Sequence, residues 1–170
     1  MRVPGATATN DIEVTLRGSG TDIWGRADAF RYRYGAMSST GAISAAVRSI
    51  QRTDPWAKAG VMIRSDLSPG SPHVMLIVSA TRGIAMQYRA VPNGASANVV
   101  AIPGAAPEWV RLRRQGLTIV GEISDDGVTW QAFGNIDLPL GDSVTAGLVV
   151  TSHNNPRLAT GVFEDVLLLD

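Results

Sequence analysis

Short runs of alternating apolar and polar residues, separated by turn residues, extend over almost the whole chain. Ile12, Val14 and Leu16 alternate with charged and polar neighbours, and residues 30–34 repeat the pattern. A period of two residues is typical of a half-buried strand, whose side chains point alternately to the two faces of a sheet. We predict roughly twelve strands at about 8–12-residue spacing. They are residues 11–17, 30–34, 42–51, 59–64, 73–79, 84–91, 97–102, 109–114, 118–124, 130–136, 144–151 and 159–168.

This series of strands predicts an all-β fold in which two antiparallel sheets form a sandwich. The 18 glycines and 9 prolines among 170 residues suit a chain with many turns. Residues 42–50 are rich in alanine and could form a short helix, but their β-branched residues, with Gly41 before them and Pro55 after them, favour a strand. No internal repeat or linker divides the chain, so we expect one domain.

Charge and cysteine content exclude several classes of function. Fifteen basic residues balance fifteen acidic ones, so no overall field attracts nucleic acid or an anionic membrane. The absence of cysteine excludes disulfides, thiolate metal sites and thiol catalysis. No signal-peptide pattern begins the sequence shown, and no apolar run reaches the roughly 18 residues of a membrane span.

Three segments carry a resemblance to a known family: residues 18–30 (GSGTDIWGRADAF), residues 54–64 (DPWAKAGVMIR) and residues 151–154 (TSHN). Together they resemble the concanavalin A-like, LamG-like jelly-roll domains of the bacterial family related to regulation-of-enolase protein 1. The resemblance runs from about residue 8 to residue 169 and implies a jelly-roll sandwich. Because such domains are often appended to secreted carbohydrate-active proteins, it also implies an extracellular or surface-associated location.

The N-terminus departs from this resemblance. Relatives carry a further strand before the segment that matches residues 10–17, whereas only residues 1–9 precede it here. We therefore expect residues 10–170 to form the jelly roll and residues 1–9 to form an arm. Since an unpaired edge invites another chain, the arm could add a strand to a neighbour, giving self-association or assembly into a virion or cell envelope.

Asp22, Trp24 and Asp28 surround a glycine-rich turn and form the first candidate site. The carboxylates can accept hydrogen bonds from sugar hydroxyls while the indole offers a stacking face. Alternatively they could hold Ca²⁺, although two carboxylates fall short of the six to eight oxygens that this ion takes. In the structural alternative, Asp22 closes the turn and Trp24 packs into the sandwich.

Trp56, Lys58 and Arg64 follow an Asp-Pro turn and form a second candidate group. Lys58 and Arg64 are an even number of residues apart, so they can lie on one face of a strand. The guanidinium of Arg64 suits paired hydroxyls, which favours a ligand-facing role. The alternatives are a buried Arg64 paired with Asp22, Asp28 or Asp66, and a Trp56 packed in the core.

The two histidines and a polar loop complete the candidates. His153 and Asn154 lie in a loop rich in donors and acceptors, which suits hydroxyl recognition. A zinc site would need His73 as well, yet no local spacing couples the two histidines. Near strand ends a structural histidine is commoner than a ligand-binding one, and this is the alternative for both.

Catalytic motifs are scarce in this sequence. The four glutamates are isolated, and no paired-carboxylate motif of a glycosidase is present. Residues 125–130 (DDGVTW) match the core of an Asp-box hairpin, with Ile123 where a full motif has serine, and local turn chemistry explains them. The sequence therefore predicts a non-catalytic glycan-binding module without a cofactor. The alternatives are a structural interaction or decoration domain and a glycoside-active enzyme.

Overall fold

The computed structural model describes residues 6–9 and 13–170, and within them every regular element is a strand. None of these residues forms a helix that could cross a membrane. The strands are β1 (Ala6–Thr9), β2 (Glu13–Gly18), β3 (Ile23–Trp24), β4 (Ala27–Asp28), β5 (Arg31–Met37), β6 (Thr40–Ile50), β7 (Lys58–Arg64), β8 (His73–Ser79), β9 (Ile84–Arg89), β10 (Ser96–Ile102), β11 (Glu108–Gln115), β12 (Thr118–Ser124), β13 (Gln131–Asp137), β14 (Val144–Thr151) and β15 (Ala159–Leu169).

Two large antiparallel sheets form the predicted sandwich. The first has seven strands in the order β1-β2-β15-β6-β11-β12-β13, and the second has six in the order β10-β9-β8-β7-β14-β5. The strands β3 and β4 pair with each other as a separate two-stranded hairpin. Non-consecutive strands are neighbours in both sheets, as expected of a jelly roll. The all-β fold class is therefore confirmed.

The main core lies between the two sheets and is built from alternate residues of the strands. In β7, Ala59, Val61 and Ile63 point into this core, where they meet Leu112 and Phe163 of the seven-stranded sheet. These five side chains are completely buried. Burial of apolar area on this scale supplies the main favourable term for folding.

A second apolar cluster lies on the outer face of the six-stranded sheet, the face turned away from the seven-stranded sheet. Met62, Met75, Ile77 and Val149 belong to it, and Ile23 of the β3–β4 hairpin packs onto them. Every residue of β7 and β8 is therefore buried. The sequence pattern predicted half-buried strands, but these two are covered on both faces, which explains their continuous apolar character.

The N-terminal edge differs from the sequence expectation. Residues 6–9 form β1, which pairs antiparallel with β2 from Ala6 opposite Arg17 to Thr9 opposite Val14. This strand occupies the edge of β2 that the expectation left open, so that part of the expectation is corrected. Residues 1–5, the remainder of the proposed arm, lie outside the described residues.

The Asp-box-like turn is a local structural device. Asp126 Oδ1 accepts hydrogen bonds from the backbone N–H groups of Thr129, at 2.7 Å, and Val128, at 2.8 Å, and these bonds lower the pKa of Asp126 to about 2. Gly127 has a φ of 73°, and a Cβ there would press against the ring of Trp109. Trp130 instead lies under the guanidinium of Arg111, whose Cζ is 4.0 Å from the centroid of the Trp130 ring. The tryptophan that packs against this turn is therefore Trp109, and not Trp130 of the motif itself.

Candidate functional site

The β3–β4 hairpin lies over the outer face of the six-stranded sheet and is held there by backbone contacts. Ala29 N–H donates to the carbonyl of Asp22 at 2.8 Å, and Asp28 N–H donates to the carbonyl of Pro69 at 2.8 Å. Gly20, which precedes the hairpin, has a φ of 147°, and a Cβ at this position would collide with the carbonyl of Ala29. A side chain at this position would displace the hairpin from the sheet.

A buried ionic cluster anchors the hairpin from below. Asp28 Oδ2 accepts a hydrogen bond at 2.7 Å from Arg64 Nη1, and the two oxygens of Asp28 accept bonds at 2.7 Å from Nη1 and Nη2 of Arg89. The side chains of Asp28 and Arg89 are completely buried, and that of Arg64 is 2% exposed. Such a fork of guanidinium groups on one carboxylate combines charge with fixed geometry.

His73 belongs to the same cluster and stays neutral at physiological pH. Its Nδ1 lies 3.3 Å from the carbonyl of Ser71 and 3.7 Å from Asp28 Oδ2, while its Nε2 has no hydrogen-bond partner. Burial lowers the pKa of His73 to about 4; the carboxylate of Asp28 opposes this shift, and the positive charges of Arg64 and Arg89 add to it. A proton on His73 would place a further positive charge beside two buried arginines.

A pocket of about 440 Å³ opens beside the hairpin, on the outer face of the six-stranded sheet. Its size falls within the range of small-molecule sites. Trp24 of β3 and Trp56 of the Asp-Pro turn form its aromatic part, and the remaining side chains are polar. The lining residues are Asp22, Trp24, Trp56, Lys58, Gln87, Asn98 and His153.

Lys58 lines this pocket from the start of β7 and is itself almost completely buried. Its ammonium lies 5.9 Å from the ring centroid of Trp24 and 5.7 Å from that of Trp56, within the range of cation–π attraction. It donates hydrogen bonds to the carboxylate of Asp22 and, at 3.3 Å, to the carbonyl of Ile23. Burial lowers the pKa of Lys58, while the charge of Asp22 acts in the opposite direction. A lysine has three donors, so one N–H stays available to a ligand.

His153 lies between the two segments that carry the tryptophans, the β3–β4 hairpin and the Asp-Pro turn. Its Nε2 lies 3.3 Å from Asp22 Oδ2, and its Nδ1 lies 3.1 Å from Asp54 Oδ1. Asp54 Oδ1 also accepts a hydrogen bond from the backbone N–H of Trp56 at 2.7 Å, which fixes the Asp-Pro turn. His153 is 31% exposed, so it can contact both these carboxylates and a ligand.

Gln87 and Asn98 line the pocket but were not among the residues selected from the sequence. They face each other across β9 and β10, and Gln87 Nε2 donates to Asn98 Oδ1 at 2.8 Å. Gln87 is 2% exposed, and its Oε1 is buried without a hydrogen-bond partner. A glutamine in an otherwise apolar segment was the available signal. Its pairing with Asn98 depends on the register of two strands, which no local pattern reveals.

The structure divides the residues selected from the sequence into two groups. The pocket brings together Asp22, Trp24, Trp56, Lys58 and His153. Their common location follows from a hairpin and two turns that meet over one sheet. Trp24, which the structural alternative placed inside the sandwich, is 37% exposed.

The other three selected residues are absent from the pocket lining. Asp28 and Arg64 form the buried ionic cluster, as in the structural alternative for Arg64, and they line a separate cavity of about 230 Å³. Asn154 closes a turn through its backbone: its N–H donates a hydrogen bond to Ser152 Oγ at 3.1 Å, and its carbonyl accepts one from Ser152 Oγ at 2.7 Å. The energetic need to pair buried charges accounts for the position of Asp28 and Arg64 in this cluster.

The carboxylates proposed for Ca²⁺ already have partners. Asp22 is paired with Lys58 and Asp28 with two arginines. Within residues 6–9 and 13–170, no group of three or more His, Cys, Asp or Glu side chains is arranged to hold a metal ion.

We predict that melting curves measured in a chelator and in millimolar Ca²⁺ will coincide. An ion that binds the native state raises the melting temperature with its concentration, but Asp22 and Asp28 would have to leave their cationic partners to bind one. Mg²⁺ at the same ionic strength serves as the control. A rise in melting temperature with Ca²⁺ alone would contradict this prediction.

Comparison with known proteins identifies the fold. No protein-family model matches the chain, and no curated protein sequence matches it. Among solved structures, a functionally unknown protein from Saccharomyces cerevisiae matches with a TM-score of 0.75 at 17% identity, over 99% of this chain and 93% of that chain. The carbohydrate-binding module CBM66 from Bacillus subtilis matches with a TM-score of 0.57 at 12% identity, over 100% of this chain and 94% of that chain.

A mutant of the GH43 protein BlXynB from Bacillus licheniformis matches with a TM-score of 0.70 at 14% identity, over 92% of this chain. The shared fold is a jelly-roll sandwich. The match covers 32% of the GH43 chain, so this protein corresponds to about a third of its length. At these identities the likeness shows the fold alone. The resemblance to the family related to regulation-of-enolase protein 1 depends on the sequence motifs.

Proposed function

We propose that this protein is a non-catalytic glycan-binding module whose site is the pocket between Trp24 and Trp56. The observation that carries the proposal is the combination of two indole rings with hydroxyl-binding groups in one pocket. Indole rings stack on the apolar faces of sugars, and carboxylate, amide and ammonium groups exchange hydrogen bonds with hydroxyls. The fold shared with CBM66 and a GH43 protein supports a carbohydrate-related role.

The acid groups of the pocket support binding rather than hydrolysis. Asp22 is the one carboxylate among the described lining residues, and it forms an ion pair with Lys58. Glycosidases use a pair of carboxyl groups on opposite sides of the scissile bond. Asp28 cannot serve as the second one here, because both its oxygens are bound by buried arginines. Asp54 does not line the pocket, and its Oδ1 already contacts His153 and the backbone N–H of Trp56.

Trp56→Ala is expected to weaken glycan binding by about thirtyfold, which corresponds to roughly 2 kcal/mol for the loss of a central aromatic anchor. A glycan array would first identify a ligand. Its titration, followed by tryptophan fluorescence and by calorimetry, would then give Kd. The variant should stay folded, since Trp56 lies in a turn and is half-buried at the pocket.

Trp130→Ala is the matched control, because Trp130 stacks under Arg111 at the seven-stranded sheet. It should bind the glycan with unchanged affinity. Equal losses in both variants, or no loss in Trp56→Ala, would remove the pocket from the proposal. An array with no binding to any glycan would contradict the proposed function itself.

A further inference from the structure

We infer that the pocket selects a neutral sugar unit over a uronic acid, and that Gln87 accepts a hydrogen bond from one hydroxyl of that sugar. This inference depends on the proposed glycan-binding function. It follows from two independent features of the pocket: the balance of its charges and a buried acceptor that lacks a donor.

The one lysine of the pocket already has a carboxylate partner without a ligand. Lys58 is the one lysine or arginine among the described lining residues, and its ammonium is paired with Asp22. Asp54 lies next to the pocket, 3.1 Å from His153 Nδ1, and adds a second carboxylate. Lys58 therefore has no uncompensated charge for an anionic ligand.

A carboxylate on the sugar would meet an unfavourable environment in this pocket. It would be desolvated close to Asp22, and a bond to Lys58 would compete with the existing ion pair. Burying an unpaired charge is costly, and charge repulsion of this kind is a common way to reject one ligand in favour of another. A hydroxyl has no charge to desolvate, and its oxygen can accept a hydrogen bond from the remaining N–H of Lys58.

Gln87 favours a neutral sugar through a hydrogen bond that a hydroxyl can donate. Its Nε2 is committed to Asn98, whereas its Oε1 is a buried acceptor without a partner. Buried acceptors in native proteins are mostly paired with a protein group or with water, so Oε1 can take a donor from a ligand in the pocket. A hydroxyl can donate to Oε1, but an ionised carboxylate is only an acceptor and cannot. Gln87 therefore favours the same class of ligand that the charges favour.

The test compares two oligosaccharides that differ only in one terminal unit, a hexose or the corresponding hexuronic acid, chosen from the hits of the array. Calorimetry on the wild-type protein should give a Kd at least about tenfold weaker for the uronic acid. Equal or tighter binding of the uronic acid would overturn the selection for a neutral sugar.

Gln87→Met tests the hydroxyl contact, since methionine has a similar size and no strong donor or acceptor. We expect about a tenfold loss of affinity for the neutral ligand, the value of one hydrogen bond to a buried acceptor. Gln131→Met, at an exposed position of β13 in the other sheet, should have no effect. Among monodeoxy forms of the ligand, one should bind the wild type weakly and be insensitive to Gln87→Met.

The outcomes separate the two levels of the proposal. An affinity that Gln87→Met leaves unchanged, or the absence of any coupled deoxy position, would overturn the role of Gln87 while leaving glycan binding intact. If Gln87→Met does not fold, the deoxy series on the wild type still decides. A series in which no single missing hydroxyl weakens binding would overturn the role of Gln87. Failure to bind any glycan would overturn both the proposed function and this inference.

Discussion

Asp28→Ala is expected to lower the free energy of unfolding by about 3–5 kcal/mol, the cost of leaving buried charges without their partner. The substitution would remove the carboxylate that pairs with both Arg64 and Arg89, whose side chains are almost completely buried. The two guanidinium groups would then repel each other in a site of low polarity. Because Asp28 also ends the β3–β4 hairpin, the hairpin should lose its anchor.

Denaturant unfolding of the wild type and of Asp28→Ala measures this difference. Asp137→Ala is the matched control, since Asp137 is exposed and its carboxylate accepts a bond from Thr118 at 2.7 Å. A surface substitution of this kind should change stability by no more than about 0.5 kcal/mol. A loss below about 1 kcal/mol in Asp28→Ala would mean that the cluster does not hold the hairpin as we describe.

Acidification from pH 7 towards pH 4 is expected to cost about 3 kcal/mol of stability through His73 alone. Burial lowers the pKa of His73 from 6.5 to about 4. Between these values the unfolded chain binds a proton that the native state does not, so the contribution of His73 to stability is fully present above pH 6.5. It decreases as the pH falls towards 4, below which this histidine contributes no further change.

Unfolding curves at several pH values should show a steeper decline for the wild type than for His73→Asn, because the asparagine side chain does not titrate. An NMR titration of the His73 ring in the wild-type protein provides the second measurement and does not require the variant to fold. Parallel pH profiles for the two proteins, or a His73 ring that titrates near pH 6.5, would contradict this account.

The sandwich could be predicted from the sequence because its strands have a local signature. The predicted strand 73–79 coincides with β8, and 118–124 and 144–151 coincide with β12 and β14. The strands β3 and β4 were not predicted, since each has two residues and no alternation can be seen over that length. Its position over the sheet also explains why β7 is buried on both faces.

The candidate site was predicted only in part, for a physical reason. Trp24, Trp56 and Lys58 were recognised because aromatic and charged side chains beside turns suggest a ligand-binding rim. Arg89 lies 61 residues from Asp28 in the sequence, and their pairing depends on how the hairpin folds over the sheet. Gln87 gained its significance from the strand register for the same reason. Contacts between distant strands leave no periodic trace in a single sequence.

The four tryptophans allow a direct test of the central claim that glycans bind on the outer face of the six-stranded sheet. Each indole N–H gives its own NMR signal, and a titration with a glycan identified on the array reports on all four at once. We predict saturable shifts of the Trp24 and Trp56 signals, whose rings border Lys58 in the pocket. The signals of Trp109 and Trp130 should stay unchanged. Shifts confined to Trp109 and Trp130 while the glycan binds would place its site on the other sheet and contradict the account.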